Sequence, residues 1–318
     1  MTQPRTTLLA DLLGRHIEHH PRPLAVGVAG LLFTTTSAAL TLAFGLPHAG
    51  IFAIFLASAA LAAPFSWLLD DNREAIWSRG ESAWHANRRT ALGVLGLFAG
   101  MTTGFVIWSA ILGAEGIRAH FGFALDAAHI SHDDILSRRF GEVGPLFSHN
   151  LAVLVACMAL AFIYRSYGAL LALGWNAAVW GVVLTLLVMR ALHGTPVHPV
   201  LFVLTAAGAV LPHLLVEAAG YVLGALAAIF LSRGLARYQA RDGRFRRVAG
   251  AASLLLVVAV VLLWVGALLE QHFAPRVLAS LRAVAKQSEL DLRPASAAER
   301  RGNPPDSLPF SAAEATLR

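Results

Sequence analysis

The chain has 318 residues, of which 57% are hydrophobic and only 14% are charged, and its formal net charge is +6. Since a soluble domain is about 25% charged, this composition excludes a soluble enzyme, a disordered chain and a fibrous repeat. The mean hydropathy of +0.62 indicates a polytopic membrane protein. With Cys157 as its one cysteine, the chain has neither a disulfide framework nor a Cys-based zinc site.

Apolar segments long enough to cross a membrane recur along the whole chain. A spanning helix needs about 20 apolar residues, and the sequence predicts an all-α transmembrane bundle of about seven spans, with six as the alternative. The predicted spans are 24–46, 50–69, 91–113, 148–164, 169–190, 200–232 and 249–269. The sixth is too long for one straight crossing and contains Pro212, which removes a backbone hydrogen bond. We therefore expect a helix that is kinked or broken at Pro212.

The predicted membrane domain covers residues 24–270. We expect 1–23 to be a cytoplasmic amphipathic segment and 271–318 to be a polar, partly disordered tail. Residues 70–90, with Trp77 and Trp84 in helical register, are typical of a helix lying on the membrane surface.

The largest predicted outer loop covers residues 114–147. It carries a His/Asp cluster at 129–134, which we interpret as a solvated loop because the spacing matches no standard metal site.

Arginine is distributed unevenly between the predicted loops. Six arginines lie within residues 233–247 alone, and positive charge is enriched in cytoplasmic loops. The pattern predicts a multi-pass protein of the plasma membrane with its N-terminus in the cytoplasm.

The run LPHLLVEAAGYVLG at 211–224 carries the most informative polar residues. His213 and Glu217 are four residues apart and share one helical face, and ionisable residues within spans are functional candidates by default. Gly220 and Gly224 have the spacing that permits close helix approach. The pair is compatible with a hydrogen-bonded lock, with the lining of a proton, ion or solute cavity, or with a catalytic or metal site. Zinc needs three or four ligands, so we expect no metal, no cofactor and no enzyme activity.

Three further polar residues are predicted neighbours of His213 and Glu217 across helices: Asn150, Asn176 and Glu270. An Asn within lipid must find a hydrogen-bond partner. Gly168 and Gly181 flank Asn176 and indicate tight packing or local unwinding. In the third span, glycines recur every four residues at 96, 100 and 104, which predicts a helix–helix interface within the chain.

Between residues 150 and 275 these features follow one another in a characteristic order. An Asn heads one span, a Gly-rich span with a Trp-Asn-Ala step follows, and then come a Pro-His…Glu run, a basic loop and a last span ending in Glu near Pro275. This order resembles the stage II sporulation protein M family of integral membrane proteins. His20 and Pro21 ahead of the first span are similar to its longer archaeal and bacterial branch. Leu214 departs from the glycine that family members usually have there.

In spore formers, the resemblance implies a septal membrane protein that helps assemble peptidoglycan-remodelling enzymes, and many members come from organisms that make no spores. We therefore expect a non-enzymatic scaffold or partner-recruiting component of an envelope or septum process. A small channel or transporter with a polar centre at His213 and Glu217 is the alternative, and an intramembrane hydrolase is a second alternative. The expected partners are the lipid bilayer and membrane or envelope proteins, with an oligomer allowed and nucleic acid excluded.

Overall fold

The computed structural model describes residues 23–128, 143–192, 198–277 and 279. These residues form helices and no β-strand, and every helix is long and apolar enough to cross a membrane. The protein is thus an all-α, multi-pass membrane bundle. The predicted N-terminal segment, nearly all of the C-terminal tail and the His/Asp cluster at 129–134 lie outside the described residues. The helices are α1 (Pro23–Ala43), α2 (Ala49–Trp77), α3 (Ala83–Ala127), α4 (Val143–Leu192), α5 (Pro199–Arg237) and α6 (Gly243–His272).

The long helix α4 folds back on itself at Arg165. This residue has φ 55° and ψ −127°, and a Cβ on Gly168 would collide with the carbonyl oxygen of Leu160. The side-chain amide of Asn176 reaches the thiol of Cys157 at 3.9 Å, although the two are 19 residues apart; a straight helix of that length would span about 28 Å. The two halves of α4, 143–164 and 166–192, are therefore antiparallel. They correspond to the predicted fourth and fifth spans, so the six helices contain seven apolar segments.

Helix α3 also changes direction, at Gly113, where φ is 67° and ψ is −175°. Beyond it, residues 114–127 return to the bundle, and the ring of Phe121 lies 6.0 Å from that of Phe105. Ile117 and Phe121 are fully buried. The predicted outer loop over 114–147 thus begins with a helix that packs on the bundle, because these apolar side chains gain more from packing than from solvent exposure.

Residues 70–90 do not form a separate surface helix, contrary to the prediction. Helix α2 continues to Trp77, a short loop follows, and α3 begins at Ala83. Trp77 and Trp84 thus lie on different helices. The helical spacing of the two tryptophans in the sequence therefore does not place them on one shared helix face.

Helix α5 remains helical through Pro212 from Pro199 to Arg237. Of the two predicted alternatives at this proline, a kinked helix or a break, the structure shows one continuous helix and no break. Proline removes one hydrogen bond, and neighbouring helices commonly compensate for it in membrane proteins. The backbone breaks instead lie at Gly113 and Arg165, neither of which is proline.

The glycine stripe of α3 packs against α1 within the same chain, as its spacing predicts. A Cβ on Gly100 would collide with the carbonyl oxygen of Gly27, and a Cβ on Gly104 would lie 3.1 Å from the side chain of Thr34. The indole N–H of Trp108 donates to the carbonyl oxygen of Thr35 at 2.9 Å. These contacts show that α1 and α3 run parallel and in close approach.

The N-terminal half of α4 and helix α5 form a second parallel pair. The hydroxyl of Ser232 donates to the carbonyl oxygen of Phe162 at 2.8 Å, and Gly224 lies against Leu154. In the sequence, one antiparallel helix lies between the two members of each parallel pair. Helices α1, α2 and α3 thus form a first three-helix unit, and the two halves of α4 form a second unit together with α5. The two three-helix units run in opposite directions, a relation that transporters built from inverted repeats also have.

We call one end of the bundle the basic end. It consists of the end of α2, the start of α3, the α4 turn, the end of α5 and the start of α6. There Arg233 makes an ion pair with Asp70 at 3.0 Å and donates to the hydroxyl of Ser166 at 3.4 Å. Away from this end, α6 exposes an apolar face at helical spacing, which is typical of a surface in contact with lipid. That face consists of Leu254, Val257, Val261 and Trp264.

Candidate functional site

A buried carboxylate on α5 is joined to the neighbouring helix by hydrogen bonds. The side-chain amide of Asn150 donates to Oε1 of Glu217 at 2.7 Å, and the hydroxyl of Tyr221 donates to Oδ1 of Asn150 at 3.1 Å. Glu217 and Tyr221 are one helical turn apart on the same face of α5. Asn150 therefore uses both ends of its amide to bind α4 to α5.

The antiparallel register of α5 and α6 places Glu270 opposite His213. Gly220 lies against Leu263, and Gly266 lies against the side chain of Glu217. One helical turn further from the basic end, α5 carries His213 and α6 carries Glu270. Both residues are only 3% exposed. We call His213, Glu217, Tyr221, Asn150 and Glu270 the polar cluster.

Glycines allow three helices to meet around this cluster. A Cβ on Gly266 would lie 2.8 Å from Cγ of Glu217, and a Cβ on Gly220 would lie 3.0 Å from the side chain of Leu263. Gly224 is closed in by Leu154 of the N-terminal half of α4. A side chain at any of these positions would push a neighbouring helix away from α5, so the glycines are what bring the polar residues within hydrogen-bond distance.

The polar cluster lies far from the basic end along the helix axis. Glu217 precedes Arg233 by sixteen residues, which is about 24 Å of helix. A hydrocarbon core is about 30 Å thick. With the Arg233–Asp70 ion pair at one membrane surface, the cluster falls in the opposite half of the membrane.

Asn176, the fifth predicted member of the centre, has other hydrogen-bond partners than the polar cluster. Its amide donates to the carbonyl oxygen of Ala172 at 2.8 Å on its own helix and approaches the Cys157 thiol at 3.9 Å. It therefore stabilises the α4 hairpin. Gly168 permits the tight turn of that hairpin, and Gly181 lets α4 approach Phe105 of α3, whose Cβ lies 2.7 Å from the position of a Cβ on this glycine.

Two residues of the arrangement had no role in the sequence analysis. Tyr221 follows Glu217 by one helical turn, and Gly266 precedes Glu270 by one turn. The four-residue spacing of His213, Glu217 and Tyr221 was a visible signal for the tyrosine. Gly266 had no comparable signal, because only the register between α5 and α6 gives it a role.

A second group of charges, also outside the sequence analysis, lies at the basic end. Arg79 makes ion pairs with Asp71 at 2.9 Å and with Glu81 at 3.1 Å, and Arg89 binds Glu81 at 3.1 Å. The hydrogen bond that Arg79 donates to Asp71 is the main cause that raises the pKa of Arg79 above its ordinary value. These pairs join the end of α2 to the start of α3 across the short loop.

The contacts that the structure shows within the polar cluster are hydrogen bonds. No three His, Cys, Asp or Glu side chains of residues 23–128, 143–192 and 198–277 come together in a way that could hold a metal ion. Two cavities of about 410 and 370 Å³ open at the basic end, and no residue of the polar cluster lines either of them. The geometry thus joins α4 to α5 through buried hydrogen bonds, and α6 packs closely against them.

The chain matches no protein-family model, no curated protein and no solved structure. The resemblance to the stage II sporulation protein M family therefore rests on the order of the sequence features alone.

Proposed function

We propose that this protein is a non-enzymatic membrane scaffold that recruits partner proteins in an envelope or septum process, as the stage II sporulation protein M resemblance implies. The observation that supports this proposal is the hydrogen bond between Asn150 and Glu217, a residue that is only 6% exposed. A scaffold needs a fixed arrangement of helices, and a buried polar contact between helices specifies one arrangement. The basic end faces the cytoplasm, and the membrane is the plasma membrane.

A small-solute transporter is the second candidate, because the two three-helix units run in opposite directions. Transporters with inverted repeats place their substrate between the two units, near the middle of the membrane. Here α2 and the C-terminal half of α4 meet between the units, where Gly174 lies against Ile54 and Met101. The polar cluster lies instead within the second unit and α6, which favours the scaffold.

The test measures transport and partner contact with the same variants. Purified protein is reconstituted into liposomes that contain a pH-sensitive dye, and a labelling enzyme is fused to the N-terminus of the protein in host cells. We expect no proton flux above that of empty liposomes. We also expect a defined set of labelled envelope proteins that is lost in Glu217→Leu, because the substitution removes the acceptor that joins α4 to α5.

The matched control is Glu115→Leu, which changes an exposed glutamate and should keep the labelled set. Proton flux that disappears in Glu217→Gln would overturn the scaffold in favour of the transporter. Identical labelling in Glu217→Leu, Glu115→Leu and the parent protein would show that the polar cluster has no part in partner recruitment.

A further inference from the structure

The larger cavity at the basic end is a pocket between four helix ends. Its volume of about 410 Å³ lies within the range of small-molecule sites, roughly 300–1,000 Å³. The ends of α2 and α5 and the starts of α3 and α6 form its walls. Four arginines line it: Arg73, Arg233, Arg237 and Arg247.

Two of these arginines share a single acidic residue, and the other two have none in the described part of the chain. Arg233 binds Asp70 at 3.0 Å, and Arg237 approaches the same carboxylate at 4.0 Å. Glu81, the acidic residue of the lining, is held by Arg79 and Arg89. Arg73 and Arg247 make no hydrogen bond or ion pair with any residue that the structure describes. The pocket therefore has an excess of positive charge from opposite walls, α2 and α6.

The remaining lining separates into a polar part and an apolar part. Ala83, the first residue of α3, brings the N-terminus of a long helix to the pocket, and the free N–H groups at such a terminus attract anions. Asn72 is 4% exposed and donates to Asn87 at 3.1 Å. Trp77 and Phe230 provide apolar wall beside these polar groups.

We propose that this pocket binds a phosphate-bearing anion at the membrane surface, with the phosphate between Arg73 and Arg247. Arginine presents several donors in a fixed plane and suits phosphate oxygens. The apolar wall formed by Trp77 and Phe230 favours the headgroup of an anionic phospholipid, whose glycerol and acyl portions would lie against it. Basic pockets between transmembrane helices are known to bind such headgroups. The site is separate from the polar cluster and does not depend on the proposed scaffold role.

The experiment measures lipid retention by native mass spectrometry of the full chain, with phosphatidylglycerol or phosphatidylcholine added in detergent. We expect phosphatidylglycerol to bind and phosphatidylcholine to bind weakly. The double variant Arg73→Gln/Arg247→Gln should weaken phosphatidylglycerol binding roughly 30-fold, from the contribution of two basic residues near a membrane surface. The matched control is Arg88→Gln/Arg246→Gln, which removes two exposed arginines outside the lining and should bind as the parent does.

A second arm replaces the lipid with inorganic phosphate and follows the melting temperature. Stabilisation by phosphate that requires Arg73 and Arg247, without selective retention of phosphatidylglycerol, would support the anion site and assign it to a soluble ligand. Binding of neither probe would overturn the proposal. Equal loss of binding in both double variants would also overturn it, because the attraction would then come from overall charge. Circular dichroism of each variant distinguishes lost binding from lost folding.

Discussion

At the scale of single residues, a side chain's partner determines its role in this bundle. Asn150 and Asn176 both lie in apolar spans of the α4 hairpin. Asn150 is on its N-terminal half, and Asn176 is on its C-terminal half. Asn150 joins two helices through Glu217 and Tyr221, whereas Asn176 donates to its own helix and approaches a thiol. A polar group in lipid must be satisfied, but only contacts between helices specify how those helices pack.

The two asparagines give a direct comparison of stability. Asn150→Ala should lower the free energy of unfolding by about 1–3 kcal/mol, because it leaves the buried Glu217 carboxylate and the Tyr221 hydroxyl without this partner. Asn176→Ala should cost about 0.6 kcal/mol, the average for a hydrogen bond in a membrane protein. Thermal unfolding in detergent measures both. An equal effect of the two substitutions would contradict the larger role that we expect for the contact between helices.

At the scale of helices, glycines set the distances and backbone breaks set the directions. The α1–α3 contact depends on Gly100 facing the backbone of Gly27, and the contact between α5 and α6 depends on Gly220 and Gly266. The reversals at Gly113 and Arg165 occur at positive φ. Such conformations suit glycine and are unfavourable for arginine, so the α4 hairpin must be held by its tertiary contacts.

Gly100→Ala should separate α1 from α3, because the new Cβ would collide with the carbonyl oxygen of Gly27. We expect a loss of about 1–3 kcal/mol, the usual cost of overpacking a core. Gly250→Ala is the control: it lies in α6 with nothing within 4 Å of its Cβ position, and alanine is the better helix former. The measurement is the melting temperature in detergent, and an unchanged value for Gly100→Ala would contradict the close approach.

At the scale of the whole molecule, the ion pairs of the described residues lie at one end and the polar cluster lies towards the other. Because the seven apolar segments alternate in direction, the start of α1 and the end of α6 are on opposite sides of the bundle. The loop between α5 and α6 lies at the basic end. Because positive charge is enriched in cytoplasmic loops, the arginines of this loop predict that the basic end faces the cytoplasm.

Cysteine labelling tests that orientation. Native Cys157 is buried, so a cysteine introduced in a loop is the reactive thiol. Pro47→Cys, between α1 and α2, should react with a membrane-impermeant maleimide on intact cells, and Ala240→Cys, between α5 and α6, should react only after permeabilisation. Both positions are exposed. The opposite pattern would invert the topology, and labelling of both from outside would exclude a bundle in which these loops lie on different sides.

The sequence by itself determined the class of protein and most of the spans. Length and hydrophobicity are local properties, so the apolar segments, the glycine stripe of α3 and the shared face of His213 and Glu217 could be read from spacing alone. The local signal at Pro212 left a kink and a break open, since it predicts a lost hydrogen bond and not whether neighbouring helices compensate for it. Likewise, nothing in the sequence around Gly113 shows that Ile117 and Phe121 return to the core.

Only the tertiary structure decided which polar residues meet. Asn150 and Glu217 are 67 residues apart, and Asn176, which looked equivalent in the sequence, lies on a face that turns towards Cys157. The arginines that line the pocket at the basic end come from α2, α5 and α6. Contacts of this kind depend on the register between helices, which is the combined result of glycine positions, hairpin turns and packing over the whole bundle, and no single segment of the sequence contains it.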